Sequence, residues 1–374
     1  FVAISQFGMA FSFHCILAFM PFYITRISPY GPKETIVWIG LIMGASNWIA
    51  SVTASFWGGF ASRIRPKLLF KFGMSVNGIM ILLLGFTDNL TVLLLMRVFQ
   101  GLLGGVSTIG LVLISRLSPS ERLHEDLSLF QTCITTGQLL GPPVGAYAAS
   151  LLGYKAPFFV AFIIVSVFVL FCHRNVTDIP AEKKELRSEE PLHKGVLFGW
   201  GLIFIATVHL AFLPSILPNI LKGFQLMEDR ALKSAGFIIM SYTGAAIVGN
   251  LLFSRLASKI GPRKVIQITC LVASCFLVVL ILSGGVLSFT LIRIVEVGSI
   301  AAIIPLTFSI FARDVSGKVI GFLNSARFIG MAVGSLLATL VVAYSGLLTL
   351  YLLIAGFSLA TLWAFLKATK GDEG

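Results

Sequence analysis

Apolar runs of about 20 residues, each closed off by charge, glycine or proline, follow one another along almost the whole chain, and a run of that length spans a bilayer as one helix. They fall at 1–26, 36–60, 68–87, 91–115, 127–152 and 155–172, and again at 196–222, 233–257, 264–285, 287–312, 318–345 and 347–366. In hydrocarbon a segment must satisfy its own backbone N–H and C=O groups, so all twelve runs are predicted to be helices. Charge supply points the same way. Only 12% of the 374 residues are charged and 57% are apolar, whereas a soluble domain carries roughly a quarter charged. Most of the surface must face something other than water, and lipid fits.

The formal charge of +12 invites a nucleic-acid reading, but the positions of the basic residues argue against it. Of the 28 Lys and Arg residues, nineteen lie in one alternating set of loops and tails, among them Arg63, Arg65, Lys67, Arg255, Lys259 and Arg263. The opposite set holds only Arg26, Lys33, Lys155, Lys222, Arg230 and Lys233. Such a bias sets membrane orientation and predicts cytoplasmic termini; no basic stripe or stacking module suggests nucleic acid. The polar stretch 173–194 reads as a cytoplasmic linker between six-helix halves at 1–172 and 195–374. The five cysteines all sit in apolar runs without a C-x-x-C, so neither a disulfide framework nor a thiolate metal site is expected. The chain opens on Phe1 inside an apolar run, and a few starting residues are expected to precede it. That run is too long for a cleaved signal peptide.

The halves repeat each other at an offset of 196 residues. Gly40 meets Gly236, the loop from Ala61 to Lys67 meets Ala257 to Arg263, Arg97 meets Arg293, and Gln100 meets Glu296. A matched loop together with a matched intramembrane arginine marks a duplicated bundle.

The loop Gly58-Gly59-Phe60-Ala61-Ser62-Arg63-Ile64-Arg65-Pro66-Lys67 resembles the G-x-x-x-D-R-x-G-R/K-R/K signature of the major facilitator superfamily. Gly58, Arg63 and Lys67 fit, while Ser62 replaces the acid. The second copy has Ser258, Lys259, Gly261 and Arg263. Arg97-Val98-Phe99-Gln100-Gly101 looks like the R-x-x-Q-G signature of the drug/proton antiporter branch. Gly137-Gln138-Leu139-Leu140-Gly141-Pro142-Pro143-Val144-Gly145 is similar to the antiporter motif of span five. The resemblance implies an all-α membrane protein of twelve transmembrane helices, in two pseudo-symmetric halves around a central cavity, working by alternating access. It also implies that the basic loop latches the halves on the cytoplasmic side. Serine offers one hydrogen bond there, as at an N-cap, but no charge, so a weakened latch is expected. Gly137, Gly141 and Gly145 share one helix face and permit close backbone approach, and Pro142 and Pro143 bend the helix.

Charges inside a membrane are costly and need a reason. Arg97, Arg293, Arg327 and Glu296 lie within spans, as do His14 and His209 near the middles of spans one and seven. Arg293 and Glu296 share a face at three-residue spacing, so they either neutralise one another or leave Glu296 to carry a proton. Burial favours the neutral carboxyl and a guanidinium favours the charged one; these opposing effects put titration near neutrality within reach. The histidines are the other proton candidates, with hydrogen-bonded packing as their plainer role. Gln138 and Tyr242 add neutral polar groups to a substrate site of His14, Arg97, His209, Arg293 and Arg327. The expected gating set is Gly58, Ser62, Arg63, Lys67, Ser258, Lys259, Arg263, Gly137, Gly141, Pro142 and Gly145.

No Walker loop, H-E-x-x-H or G-x-S-x-G occurs, so no cofactor, metal or enzymatic chemistry is expected and an ion gradient is the natural driving force. Asn89-Leu90-Thr91 has the form of a glycosylation sequon but abuts the membrane, and is read as coincidence. The first functional reading is a monomeric, proton-coupled exporter of an amphipathic or organic small molecule in a plasma membrane. The second is a carrier of an anionic organic solute held by the intramembrane arginines.

Overall fold

The computed structural model describes residues 1–60, 63–119, 122–180, 194–311 and 317–369. Among these residues there are helices and no strands. In the first half they are α1 (Val2–Leu17), α2 (Met20–Ile27), α3 (Pro32–Phe60), α4 (Pro66–Leu84), α5 (Leu90–Leu102), α6 (Val106–Leu117), α7 (Leu123–Leu152) and α8 (Ala156–Asn175). The second half holds α9 (Lys194–Gly223), α10 (Glu228–Ile260), α11 (Pro262–Val279), α12 (Val286–Ala301), α13 (Ile303–Phe311), α14 (Gly317–Tyr344) and α15 (Leu347–Thr369).

Local chemistry sets the ends. Proline occupies an early position of α4, α8 and α11, where its missing N–H costs no hydrogen bond. Asn89 caps α5, its Oδ1 accepting from the amides of Thr91 at 2.9 Å and Val92 at 3.2 Å. The tripeptide read as a chance sequon is therefore a helix start. Gly153 and Gly346, with φ of +89° and +93°, turn the chain between α7 and α8 and between α14 and α15.

Ten helical stretches are each long and apolar enough to cross a bilayer, and α1 with α2, bent by 40°, makes an eleventh. The twelfth run is α7, 30 residues long, which carries Gln131, Thr132, Thr135, Thr136 and Gln138 and so falls short in apolarity. Span four is not one straight helix, for it breaks at Leu103–Gly105 into α5 and α6 where Trp57 lies against Gly105. Span ten breaks likewise at Ala302 into α12 and α13. Large apolar side chains such as Phe56, Leu151, Leu252, Leu287 and Trp363 point outward, as lipid-facing residues do.

Packing divides the chain into two compact units. One comprises Phe1–Pro29, Ala45–Leu186 and Leu226–Met240; the other comprises Tyr30–Gly44, Arg187–Gln225 and Ser241–Gly374. This differs from the sequence division at 172 and 195, because the first turns of α3 and α10 each pack with the other half's helices. Glycine is the reason. In the first unit Gly236 of α10 lies against Pro142, Pro143 and Ala146 of α7; in the second, Gly40 of α3 lies against Leu336 and Thr339 of α14. Gly40 and Gly236 are the pair matched at the repeat offset, and so are Pro143 and Thr339. The first unit's core is built on Phe70, Met74, Ile109, Leu113, Phe130 and Val165, and the second's on Leu202, Ala206, Val265, Ile266, Ile300 and Phe365.

Candidate functional site

The second unit holds a fully buried polar cluster on three helices. Arg293 and Glu296 stand one turn apart on α12, His209 comes from the middle of α9, and Ser358 from α15; none of their side chains reaches the surface. Arg293 Nη1 donates to Glu296 Oε2, and Nη2 donates to the backbone carbonyl of His209 at 2.5 Å. His209 Nδ1 lies 2.5 Å from Glu296 Oε1, and its Nε2 lies 2.8 Å from Ser358 Oγ. The guanidinium also sits over the rings of Phe212 at 4.7 Å and Tyr242 at 5.1 Å, which screen its charge with π faces. Buried charges persist when paired and hydrogen-bonded, and every charge here has its counterpart. Glu296 is therefore ion-paired with Arg293, as one of its two readings expects, and is also in hydrogen-bond reach of the His209 imidazole.

At the equivalent place in the first unit an amide stands where the second unit has its acid, and a phenylalanine where it has its imidazole. Arg97, buried on α5, donates from Nη1 to Gln100 Oε1 at 3.0 Å, and its guanidinium lies 5.2 Å from the ring centre of Phe13. At the offset of 196, Gln100 stands for Glu296 and Phe13 for His209. The two units thus build the same arginine-to-neighbour contact, but at the matched positions only the second places a carboxylate and an imidazole. His14 belongs to the first unit, where its Nδ1 donates to the Ala10 carbonyl at 2.8 Å and its ring meets Phe13 edge-on.

The other site residues are spread more widely. Tyr242 joins the cluster through Arg293. Half-buried Gln138 on α7 and half-buried Arg327 on α14 make no hydrogen bond or ion pair among the described residues. Gly137, Gly141 and Gly145 do share one face of α7, against the backbone of α1 from Phe7 to Cys15. A Cβ on Gly145 would stand 1.7 Å from the Cys15 carbonyl oxygen. This seam lies inside the first unit, whereas the neighbouring face with Pro142 receives α10.

The basic loops make contacts within their own units. Ser62 lies outside the described residues, Gly58 falls in the last turn of α3, and Arg63 is exposed. Lys67 Nζ donates to the His173 carbonyl at 3.0 Å and Arg65 pairs with Asp178 at 3.0 Å, so both hold the end of α8 within their own unit. Ser258 is no N-cap, because its hydroxyl donates to the Arg255 carbonyl of its own helix at 2.7 Å. Lys259 is exposed at the end of α10, and half-buried Arg263 opens α11.

Two features escape sequence reasoning. Ser358 gives no signal in an apolar span 149 residues from His209. The other is a polar cluster in the first unit, around a cavity of about 680 Å³ lined by Tyr23, Asp88, Tyr154 and Asp229 among others. There Tyr154 donates to Glu228 Oε1 at 2.5 Å, Arg26 lies over the Tyr154 ring at 5.0 Å, and Lys233 bonds Asp229 at 2.8 Å. Partial burial, together with the Glu228 carboxylate, raises the Tyr154 phenol above its ordinary value.

The model of the Major Facilitator Superfamily matches residues 2–295 and again residues 199–373. The chain belongs to this superfamily. It is a multi-pass membrane transporter and not an enzyme. It is similar to the multidrug resistance protein MdtG of Klebsiella pneumoniae (strain 342), 26% identical over 368 residues that cover 93% of this chain and 87% of the relative. Among solved structures it resembles a bacterial homologue of the human lysosomal transporter Spinster, with a TM-score of 0.80 at 12% identity over 99% of this chain and 96% of the other. It also resembles the human organic anion transporter MFSD10, with a TM-score of 0.73 at 16% identity over 97% of each chain. These likenesses speak for the fold; the matched duplication is the superfamily's two-half architecture.

Proposed function

We propose that this transporter is a proton-coupled exporter of amphipathic or organic small molecules, working by alternating access, with the Arg293–Glu296–His209 cluster as its coupling site. One observation carries the reading: an acid and an imidazole are fully buried in the second unit, while the matching positions in the first unit are Gln100 and Phe13. Intramembrane ionisable groups are expensive and usually mark ion pathways. A structural ion pair alone needs no histidine on the carboxylate. Export is supported by the span-four and span-five motifs and by the similarity to a protein named for multidrug resistance. The basic-loop bias supports cytoplasmic termini in a bacterial inner membrane, and a monomer is proposed.

The test is transport by the full-length chain in proteoliposomes under an imposed pH gradient, with an amphipathic fluorescent dye as substrate. The wild type should concentrate dye against its gradient, and Glu296→Gln and His209→Gln should each retain only downhill movement. Undiminished gradient-driven transport in both variants would remove the cluster from the mechanism. A second reading, carriage of an organic anion, rests on Arg327, a half-buried guanidinium without an ion pair among the described residues. It predicts saturable uptake of a labelled organic anion without a pH gradient, lost in Arg327→Met.

A further inference from the structure

Glu296 has no oxygen to spare. Oε2 accepts from Arg293, and Oε1 faces His209 Nδ1 at 2.5 Å. Arg293 also grips the His209 backbone carbonyl, so acid and imidazole are fixed by the same guanidinium. Each oxygen keeps a second lone pair, but a proton there would neutralise the carboxylate that pairs with Arg293 and leave the buried guanidinium without its counter-charge.

The other imidazole nitrogen is differently placed. Nε2 lies 2.8 Å from Ser358 Oγ, and that oxygen lies 2.7 Å from the carbonyl of Ile354, one turn back on α15. A hydroxyl has one hydrogen and two lone pairs. With a neutral imidazole, Nδ1–H donates to the carboxylate, Nε2 carries a lone pair, and the Ser358 hydroxyl donates to it. Arginine and glutamate then cancel, which suits a buried site. With a proton on Nε2, the new N–H donates to Ser358 Oγ, and the hydroxyl hydrogen turns to the Ile354 carbonyl. Each polar atom of the pair is satisfied in both states, with no side chain moving beyond a hydroxyl rotation.

We infer that His209 Nε2 is the atom that takes the coupling proton, and that Ser358 is its positioning residue, a hydroxyl that changes from donor to acceptor as the proton arrives. The step is a simple addition: a proton from water binds the Nε2 lone pair, no covalent bond breaks, and Ser358 exchanges one hydrogen-bond partner for another. Glu296 stays ionised throughout, held by Arg293 and Nδ1–H. This rests on the proton-coupled reading of the same cluster.

The groups around the imidazole do not compete for this role. From α12 come Arg293 and Glu296, from α10 Tyr242 beneath the guanidinium, and from α15 Tyr351, edge-on to Phe212. On α11, Cys270 Sγ lies 3.7 Å from the Ser358 carbonyl, beyond the hydroxyl. α13 has no ionisable residue, and Arg327 of α14 makes no hydrogen bond or ion pair among the described residues. The first copy is consistent: Phe13 replaces the imidazole at the repeat offset, and Phe162 replaces the serine.

The experiment pairs transport with a direct reading of the ring. In proteoliposomes, the pH midpoint of gradient-driven transport should fall by about one unit in Ser358→Ala, because an imidazolium loses more than a neutral ring when its partner goes. Ser358→Thr, which keeps a hydroxyl, should restore the wild-type midpoint, whereas a serine with only a packing role would leave the midpoint unmoved and lower the rate alone. Independently, nitrogen-15 NMR of ring-labelled wild type, with His209→Gln to assign the signal, should show His209 with Nδ1–H and a bare Nε2 at high pH, and both nitrogens protonated at low pH. A wild type without proton coupling would defeat the exporter reading, yet the ring spectrum would still decide the inference. An Nε2–H tautomer at high pH, a protonated carboxyl band removed by Glu296→Gln while the ring stays neutral, or an unmoved Ser358→Ala midpoint would overturn it.

Discussion

Removing one partner of the buried pair should cost more than removing both. In Arg293→Met the carboxylate of Glu296 keeps only the imidazole, with no water to replace the guanidinium, since both side chains are wholly buried. Breaking such a pair from one side costs about 3–5 kcal/mol. Glu296→Leu strands the guanidinium in the same way and should cost a similar amount. The double variant leaves neither charge; its main loss is the acceptor for His209 Nδ1, about 1–3 kcal/mol. The double should therefore unfold later than either single variant. The same cycle on Arg97 and Gln100 is the internal control. Gln100 is neutral, so Arg97→Met should cost about 1–3 kcal/mol and gain little from Gln100→Leu.

The assay is the folded fraction in mixed micelles of increasing dodecyl sulfate at fixed pH, followed by tryptophan fluorescence; Trp200 on α9 reports on the second unit. Additive losses, with the double variant less stable than both singles, would refute the account of Arg293 and Glu296 as mutually dependent charges.

Two further outcomes follow from other parts of the structure. Gly145→Ala places a Cβ against the Cys15 backbone, where no flexible side chain can give way, and should cost about 1–3 kcal/mol in the same micelle assay; Gly356→Ala, with open space around it, should be neutral or stabilising, and equal losses would refute the seam. In an ultraviolet titration Tyr154 should ionise later than an ordinary phenol, and Glu228→Gln should bring its midpoint downward toward that value, because burial and a carboxylate both oppose the phenolate. A midpoint indifferent to Glu228 would show that the contact does not persist in solution.

The architecture was legible because its causes are local or repeated. Span lengths follow from bilayer thickness, and the offset of 196 pairs positions that prove to do the same job: Arg97 and Arg293 each bond the residue one turn on, and Gly40 and Gly236 each admit a neighbouring helix. Other features depend on three-dimensional neighbours and left no trace in the pattern. That α3 and α10 begin in the other half's unit depends on which helix each glycine meets. The basic motif loop spends Arg65 and Lys67 on the end of α8, a partner that no loop motif names. His14 and His209 looked alike by position in their spans, but the repeat offset equates His209 with Phe13, and the structure follows the offset.

That one-residue distinction bears on the proposal that the coupling chemistry lies in one copy of the duplication. Each unit keeps a buried arginine and a partner one turn away, and each covers the guanidinium with an aromatic ring. In the first unit the partner is an amide, and the positions that could titrate are phenylalanines, so the arrangement holds the helices without responding to pH. In the second, glutamate, histidine and serine occupy those places, and the same geometry gains the groups that the proposed coupling site requires. A second acid and imidazole would add their own desolvation cost, and nothing in the repeat would order two protonations. On the proposed proton-coupled reading, a single acid and imidazole give one proton one destination, and the first unit's arginine keeps the fold's symmetry without competing for it.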